Sequence, residues 1–185
     1  MTLKCSVFIA TSLDGFIART DGALDWLPQD GAADDGEDYG YNAFIASVDT
    51  LVIGRKTYEL VLTFGEWPYP GKRVVVLSSH YPVTSQPLAD GVEGTSCPPR
   101  ELVQRLAAEG ARHAYVDGGK TIQSFLNAGL IHEITITRVP VLLGAGIPLF
   151  GPLERDIALR HLATRSYANG LVQSRYSVVT SNTKS

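Results

Sequence analysis

The chain has only two cysteines in 185 residues, Cys5 in an apolar run and Cys97 in a proline-rich turn. That is too few for a disulfide framework and suits a reducing compartment. Histidine is also sparse. His80, His113, His132 and His161 are scattered without the spacing of a metal-ligand set, so no metal site is expected. No apolar run is long enough to cross a bilayer. The opening stretch MTLKCSVFIATSLDG meets Asp14 and Gly15 early, with no small-residue cleavage pattern behind it. A cytoplasmic protein with no membrane partner is expected. Excess positive charge is missing too: 16 Lys and Arg against 19 Asp and Glu give a net charge of −3, which argues against nucleic acid as a partner.

Two nucleotide fingerprints are absent as well. VDGGKT ends like a triphosphate-binding loop, but that loop needs a further glycine five positions before Gly119, and Ala114 stands there. Neither VDGGKT nor GAGIPLF fits the G-x-G-x-x-G of a Rossmann turn. What is left is a glycine pair opening a helix, a generic place for an anion.

The 44% of apolar residues suffice for one domain with a sizeable core, expected over residues 1–180 with 181–185 as a tail. KCSVFIA, TLVIG, KRVVVLSS, HAYVD and HEITITRV read as strands. Several carry β-branched residues on both faces, as in a mainly parallel sheet. Between them, Tyr41, Phe44, Ile45 and Val48 fall on one helical stripe. Leu102, Val103 and Leu106 form another behind Pro98 and Pro99, with Gly110 as the stop. Ile122, Phe125 and Leu126 form a third, closed by Gly129. Near the end, Asn169-Gly170 is a hairpin signal. The alternation predicts an α/β domain with a mostly parallel sheet and an antiparallel C-terminal portion.

In such sheets ligands bind beyond the carboxyl ends of the strands. Three junctions of that kind suit anions. VIGRKTYE places Gly54, Arg55, Lys56 and Thr57 at a helix start, where cations oppose the macrodipole unless an anion offsets them. VVLSSHY places two hydroxyls at a strand end. VDGGKT lets the backbone approach a ligand closely at Gly118 and Gly119. Together they point to an extended ligand with several phosphates, such as a dinucleotide.

LVIGRKTYE, RVVVLSS, YVDGGKTIQSFL and HEITITRV, in that order, resemble the dihydrofolate reductase fold, a three-layer α/β/α arrangement. SLDGFIA, DWL and VLLGAGIPLF sharpen the match toward the branch that holds the reductase domain of riboflavin biosynthesis (RibD C-terminal domain-like). The resemblance implies a cytoplasmic, homodimeric NADPH-dependent reductase acting on a small molecule. It is similar to 5-amino-6-(5-phosphoribosylamino)uracil reductase. It implies that Gly54, Arg55, Lys56 and Thr57 bind cofactor phosphates, with Arg55 near the 2′-phosphate. By the same resemblance Leu77, Ser78 and Ser79 flank the adenine ribose. Gly118, Gly119, Lys120 and Thr121, with Ile122 beside them, cradle the pyrophosphate, and Ala10 and Ile17 border the nicotinamide.

For the proton donor the resemblance implies an acid on or before the first helix. Anchoring on WLPQD proposes Asp30, whereas counting back from GRKT proposes Asp38, which is favoured; Thr137 is the matching threonine partner. Asp117 is not expected to bind magnesium, nor Lys120 to be catalytic. A folate or pterin reductase and a non-catalytic dinucleotide-binding protein stand as alternatives.

Overall fold

Runs of β-branched and aromatic residues pair into a central sheet because both their faces can be covered by amphipathic helices. A computed structural model describes residues 2–28, 37–79, 88–89 and 91–179. Its elements are β1 (Lys4–Ser12), β2 (Phe16–Ala18), α1 (Tyr41–Ser47), β3 (Thr50–Gly54), α2 (Arg55–Val61), β4 (Arg73–Leu77) and β5 (Val92–Thr95). There follow α3 (Pro99–Ala108), β6 (His113–Asp117), α4 (Gly119–Asn127), β7 (Glu133–Val139), β8 (Ile147–Pro148), β9 (Leu159–Ser166) and β10 (Val172–Val178). Eight strands form one sheet in the order β5-β4-β3-β6-β1-β7-β10-β9, parallel as far as β7 and antiparallel beyond it. The short β2 and β8 pair separately.

Two cores sandwich the sheet. Leu102 and Leu106 of α3 with Ile122, Phe125 and Leu126 of α4 pack on Cys5, Val7, Val52, Val75, Ala114 and Val116. On the other face Tyr58 and Val61 of α2 pack on Leu51, Ile53, Val74, Val76 and Tyr115, with Phe44 and Ile45 of α1 against them. The three-layer α/β/α reading therefore holds.

The helices are held unequally. A fully buried large apolar side chain contributes about 1.5–3 kcal/mol, and α4 buries three of them while α1 buries none. The start of α1 is instead clasped by polar and aromatic contacts from the far end of the chain. Gln173 Nε2 donates to the Tyr39 carbonyl at 2.9 Å, Asn169 Nδ2 donates to the Tyr39 hydroxyl at 2.7 Å, and Arg165 pairs with Glu37 at 2.9 Å. The Tyr39 ring meets Tyr167 edge-on at 4.8 Å.

Three features depart from the sequence reading. Strand β5 is too short and polar (VEGT) to stand out by pattern. The β2–β8 pair lies in segments that read as loops. The C-terminal hairpin is present, but it turns through residues 167–171 rather than through Asn169-Gly170 alone: Gly170 (φ +85°) donates to the Tyr167 carbonyl at 2.9 Å.

Candidate functional site

The carboxyl ends of β3 and β6 are neighbours in the sheet, with Val52 beside Val116 and Ile53 beside Asp117. The two helices that follow, α2 and α4, therefore begin side by side, and their first turns interlock. A Cβ on Gly54 would stand 2.8 Å from Thr121 Oγ1, and a Cβ on Gly118 would stand 2.5 Å from Thr57 Oγ1 and 3.5 Å from the Gly54 nitrogen. Each junction supplies a glycine that receives the threonine of the other. Gly118 has φ +94°, a left-handed conformation that glycine adopts without steric strain. Neither threonine hydroxyl has a hydrogen-bond partner among the described residues.

The sequence-predicted residues gather around this crossing. Arg55 and Lys56 are exposed on the first turn of α2, with Arg55 reaching Glu59 at 3.2 Å. Lys120 is exposed on α4, and Thr121 is nearly buried. Ile122 is fully buried in the core, so only its backbone faces the junction. Leu77 ends β4 and packs into the core, buried Ser78 donates its N–H to the Thr95 carbonyl at 3.0 Å, and Ser79 is exposed. Ala10 lies in β1, half-buried and in register with Thr137. Ile17 of β2 is positioned from above: a Cβ on Gly119 would come within 3.1 Å of Ile17 Cδ1 and 3.4 Å of the Pro148 carbonyl. The β2–β8 pair thus roofs the start of α4.

Asp14 fastens that roof. Its carboxylate accepts from Ser12 Oγ at 2.6 Å, Gly144 N–H at 2.8 Å and Leu143 N–H at 3.1 Å. The Ser12 hydroxyl, with help from those amides, holds its pKa below the usual carboxylate range.

The expected acids are not brought to the crossing in the way the sequence implied. Asp30 lies outside the described residues. Asp38 accepts the backbone N–H of Asn42 and of Gly40, each at 2.9 Å, and these bonds lower its pKa, Asn42 first. A carboxylate so bound holds the start of a helix and stays ionised, which is the opposite of a proton donor. Thr137 is buried and accepts from Gln173 Nε2 at 2.9 Å, so its described partner is Gln173 and not Asp38. Asp38→Ala is expected to lower the urea-unfolding midpoint of the protein while cofactor affinity changes less than twofold.

The carboxyl group that the sequence reading passed over is Asp117. Alternation along β6 sends Ala114 and Val116 into the α3/α4 core and turns His113, Tyr115 and Asp117 to the α1/α2 face. Asp117 is hemmed in by protein, though still partly reachable by solvent. Burial raises its pKa from 3.8 to about 6, against the opposing effect of the Gly118 N–H, which it accepts at 2.8 Å. Its charge reaches three phenols, Tyr41 of α1, Tyr69 and Tyr115, whose own pKa values are raised first by burial and then by Asp117. The Tyr115 hydroxyl donates to the Phe8 carbonyl at 2.8 Å. Among the described residues, no hydrogen bond ties the Tyr41 or Tyr69 hydroxyl, or the second oxygen of Asp117, to the protein. Alternation along HAYVD was the signal that could have singled out Asp117: its two predecessors on that face are polar-tipped rings, not aliphatic core.

A groove of about 540 Å³ lies elsewhere. It runs between α1 and the β9–β10 hairpin, lined in part by Lys4, Ser6, His113, Thr135 and Arg175. The stacked Phe8 and Phe44 rings, 4.9 Å apart, stand between it and Tyr115. It contains none of the junction residues. Among the described residues no group of His, Cys, Asp and Glu could hold a metal ion, and no helix is long and apolar enough to cross a membrane.

A mostly parallel sheet with two helix starts crossed at its carboxyl edge and an antiparallel C-terminal hairpin places the protein in the dihydrofolate reductase-like class. Within it, the chain belongs to the RibD C-terminal domain family, whose model matches residues 4–173. It is 36% identical over 179 residues to the uncharacterized protein YwjB of Bacillus subtilis (strain 168), covering 95% of this chain and 98% of that protein. A crystal structure from Shewanella sp. PV-4, provisionally named for riboflavin biosynthesis, superposes with a TM-score of 0.87 at 40% identity over 96% of this chain and all of that one (100%). Dihydrofolate reductase from Enterococcus faecalis, complexed with NADP(H) and RAB-propyl, shares the fold at 17% identity. Its TM-score is 0.66 over 97% of this chain and 100% of the other.

Proposed function

We propose that this chain is a reductase that uses NADPH as hydride donor to a small molecule. The observation that carries the reading is the glycine–threonine crossing, where two helix amino ends, two unpartnered threonine hydroxyls and three exposed cations (Arg55, Lys56, Lys120) converge on a surface too tight for any Cβ. Helix amino ends and cations at one point suit the phosphates of a dinucleotide. The fold neighbour complexed with NADP(H) and the neighbour named for riboflavin biosynthesis support the same choice. When bound, the reduced nicotinamide supplies a hydride.

The remaining work falls to the chain's own residues. Gly54, Thr57, Gly118 and Thr121 hold the diphosphate, Arg55 faces the extra phosphate of the adenosine end, and Ile17 with the β2–β8 roof excludes water from the start of α4. Asp117, with a pKa near 6, is the group in the site able to give up a proton near neutral pH, and it delivers that proton to the substrate atom beside the carbon being reduced. Solvent re-protonates it through its exposed side.

Titrating the protein with NADPH while following tryptophan fluorescence tests the reading, and no binding up to about 100 μM would overturn it. Arg55 is exposed and its bond to Glu59 is long, so Arg55→Ala leaves the fold intact. It is expected to weaken NADPH at least tenfold and NADH less than threefold, since only NADPH carries the second phosphate that an arginine grips bidentately. Equal losses for the two would remove Arg55 from the 2′-phosphate.

A further inference from the structure

The sheet is covered unevenly. On the face that carries α1 and α2, those helices pack over β1, β3, β4 and β6, and among the described residues no helix lies over β7, β10 and β9. The groove of about 540 Å³ between α1 and the hairpin opens onto this bare stretch. Its α1 wall is cut back to Gly40, Ala43 and Ser47, and its floor to Thr135 and Ala163, while the Phe8 and Phe44 rings close one side. A volume of this order is that of sites holding small organic molecules. A second hollow of about 360 Å³, reaching to Ser177, continues it past the Lys4–Glu133 ion pair that lines both.

Arginine is concentrated on that bare face. Alternation along β10 puts Gln173, Arg175 and Ser177 on the α1 side, since Gln173 bonds both Thr137 and the Tyr39 carbonyl. Arg175 stands opposite Thr135 of β7 and Ala163 of β9, Arg165 opposite Gln173, and Arg160 opposite Ser177. Three guanidinium groups thus follow one diagonal across two strands, where like charges repel. Arg165 is matched: it pairs with Glu37 at 2.9 Å and lies 4.6 Å over the Tyr167 ring. Glu133, the carboxylate lining the groove, is taken by Lys4 at 2.8 Å. His113 is held between Ser6 Oγ at 2.8 Å and the Ser47 carbonyl at 3.1 Å. Arg160 and Arg175 have no hydrogen-bond or ion-pair partner among the described residues, in a chain whose net charge is −3. Arginine on the edge strand β9 also deters pairing with another chain, but β10 has neighbours on both sides, so Arg175 has no such role.

We infer that this groove is a second binding site, for a small organic anion whose carboxylate or phosphate sits on Arg175 and Thr135 and whose apolar body lies along Phe8 and Phe44. An arginine fork grips either oxyanion through two parallel bonds. The Thr135 hydroxyl, directly across the ladder and without a described partner, adds a third donor. Arg160 and Arg165 raise the positive potential on either side of Arg175 without touching the ligand. A neutral compound of the same shape gains the apolar wall alone. The groove shares no residue with the glycine–threonine crossing, so the inference stands apart from the reductase reading.

1-Naphthyl phosphate, 1-naphthoate and 1-naphthol share a flat apolar body and differ in charge. Titrating each into the nitrogen-15-labelled full chain, followed by backbone amide shifts, reads affinity and location together. At least one of the two anions is expected to bind with a Kd below about 1 mM and to shift the amides of Ala43, Thr135 and Arg175. The tighter anion tells phosphate from carboxylate, and naphthol should bind at least tenfold more weakly than it. Arg175 is exposed, so Arg175→Gln keeps the fold and should weaken that anion at least tenfold. Arg175→Lys, which keeps the charge without the fork, should recover part of the loss. Arg100→Gln, on exposed α3 across the sheet, should change nothing. Naphthol binding as tightly as the anions, no groove shifts at 5 mM, or equal losses in Arg175→Gln and Arg100→Gln would overturn the inference. Shifts confined to Gly54 and Gly118 would also overturn it, and would leave the cofactor junction as the anion site.

Discussion

Asp117→Asn is expected to make the protein more stable at pH 7.5 and a far poorer reductase, two changes of opposite sign at one position. Burial raises this carboxyl from 3.8 to about 6. Between those two values the folded protein keeps a proton that the unfolded chain has released, so stability falls as pH rises through that window and stays low above it. Each unit corresponds to about 1.4 kcal/mol, and with partial solvent access the penalty above pH 6 is about 2 kcal/mol. Asparagine fills the same space, still accepts the Gly118 N–H and carries no charge. The variant should therefore melt about 5 °C higher at pH 7.5 and within about 1 °C of the parent at pH 4. A general acid of this kind is worth roughly a hundredfold or more, so kcat/KM should drop by at least that factor. In the parent, kcat/KM should decline above pH 6 as the proton is lost, and that limb should vanish in the variant. A variant no more stable than the parent at pH 7.5 would show that the carboxylate is well solvated, and the assignment would fail with it.

Such a residue is the kind that composition and periodicity pass over. The sheet was legible because both its faces are covered, so TLVIG and RVVVL are apolar without interruption. The glycine junctions stood out because glycine followed by cations at a helix start is disfavoured unless an anion is present. The crossing was not, since Gly54 and Thr121 are far apart in the chain and their meeting depends on β3 lying next to β6, an order that the sequence does not spell out. The carboxylates were hard to rank for a related reason. Asp38 precedes a helix, where a carboxylate is equally at home as a cap, and in the structure it caps. Asp117 was read as the strand residue that leads into the glycine pair, and its depth is set by its strand neighbours. Thr137 lies where a threonine was expected, but it is joined to the C-terminal hairpin through Gln173, a contact between elements that no local pattern announces.

The two halves of the crossing should respond differently to the same change. Gly54 has φ −75° and ψ 157°, which alanine adopts freely, so its only obstacle to a side chain is Thr121 Oγ1 at 2.8 Å. Gly118 faces Thr57 Oγ1 at 2.5 Å and also sits at φ +94°. Gly54→Ala should therefore lose about 1–3 kcal/mol, the usual penalty of overpacking. Gly118→Ala should lose about 2–5 kcal/mol, because backbone strain of about 1–2 kcal/mol adds to the clash. Removing the facing threonine separates the two contributions. In the Gly54→Ala, Thr121→Ala pair the second change should restore nearly all that the first took away, measured against Thr121→Ala alone in urea unfolding. In the Gly118→Ala, Thr57→Ala pair at least about 1 kcal/mol should remain missing, since no neighbour can relieve a strained φ. Thr57→Ser, which keeps the oxygen, should rescue nothing. Full recovery in both pairs would mean that Gly118 is glycine for space alone, and no recovery in either would mean that the two helix starts do not interlock in solution. The expected split, one pair rescued and the other only in part, would show that the close approach is imposed by both backbones. NADPH affinity should follow the same order, because the surface that a methyl group spoils is the surface proposed to hold the diphosphate.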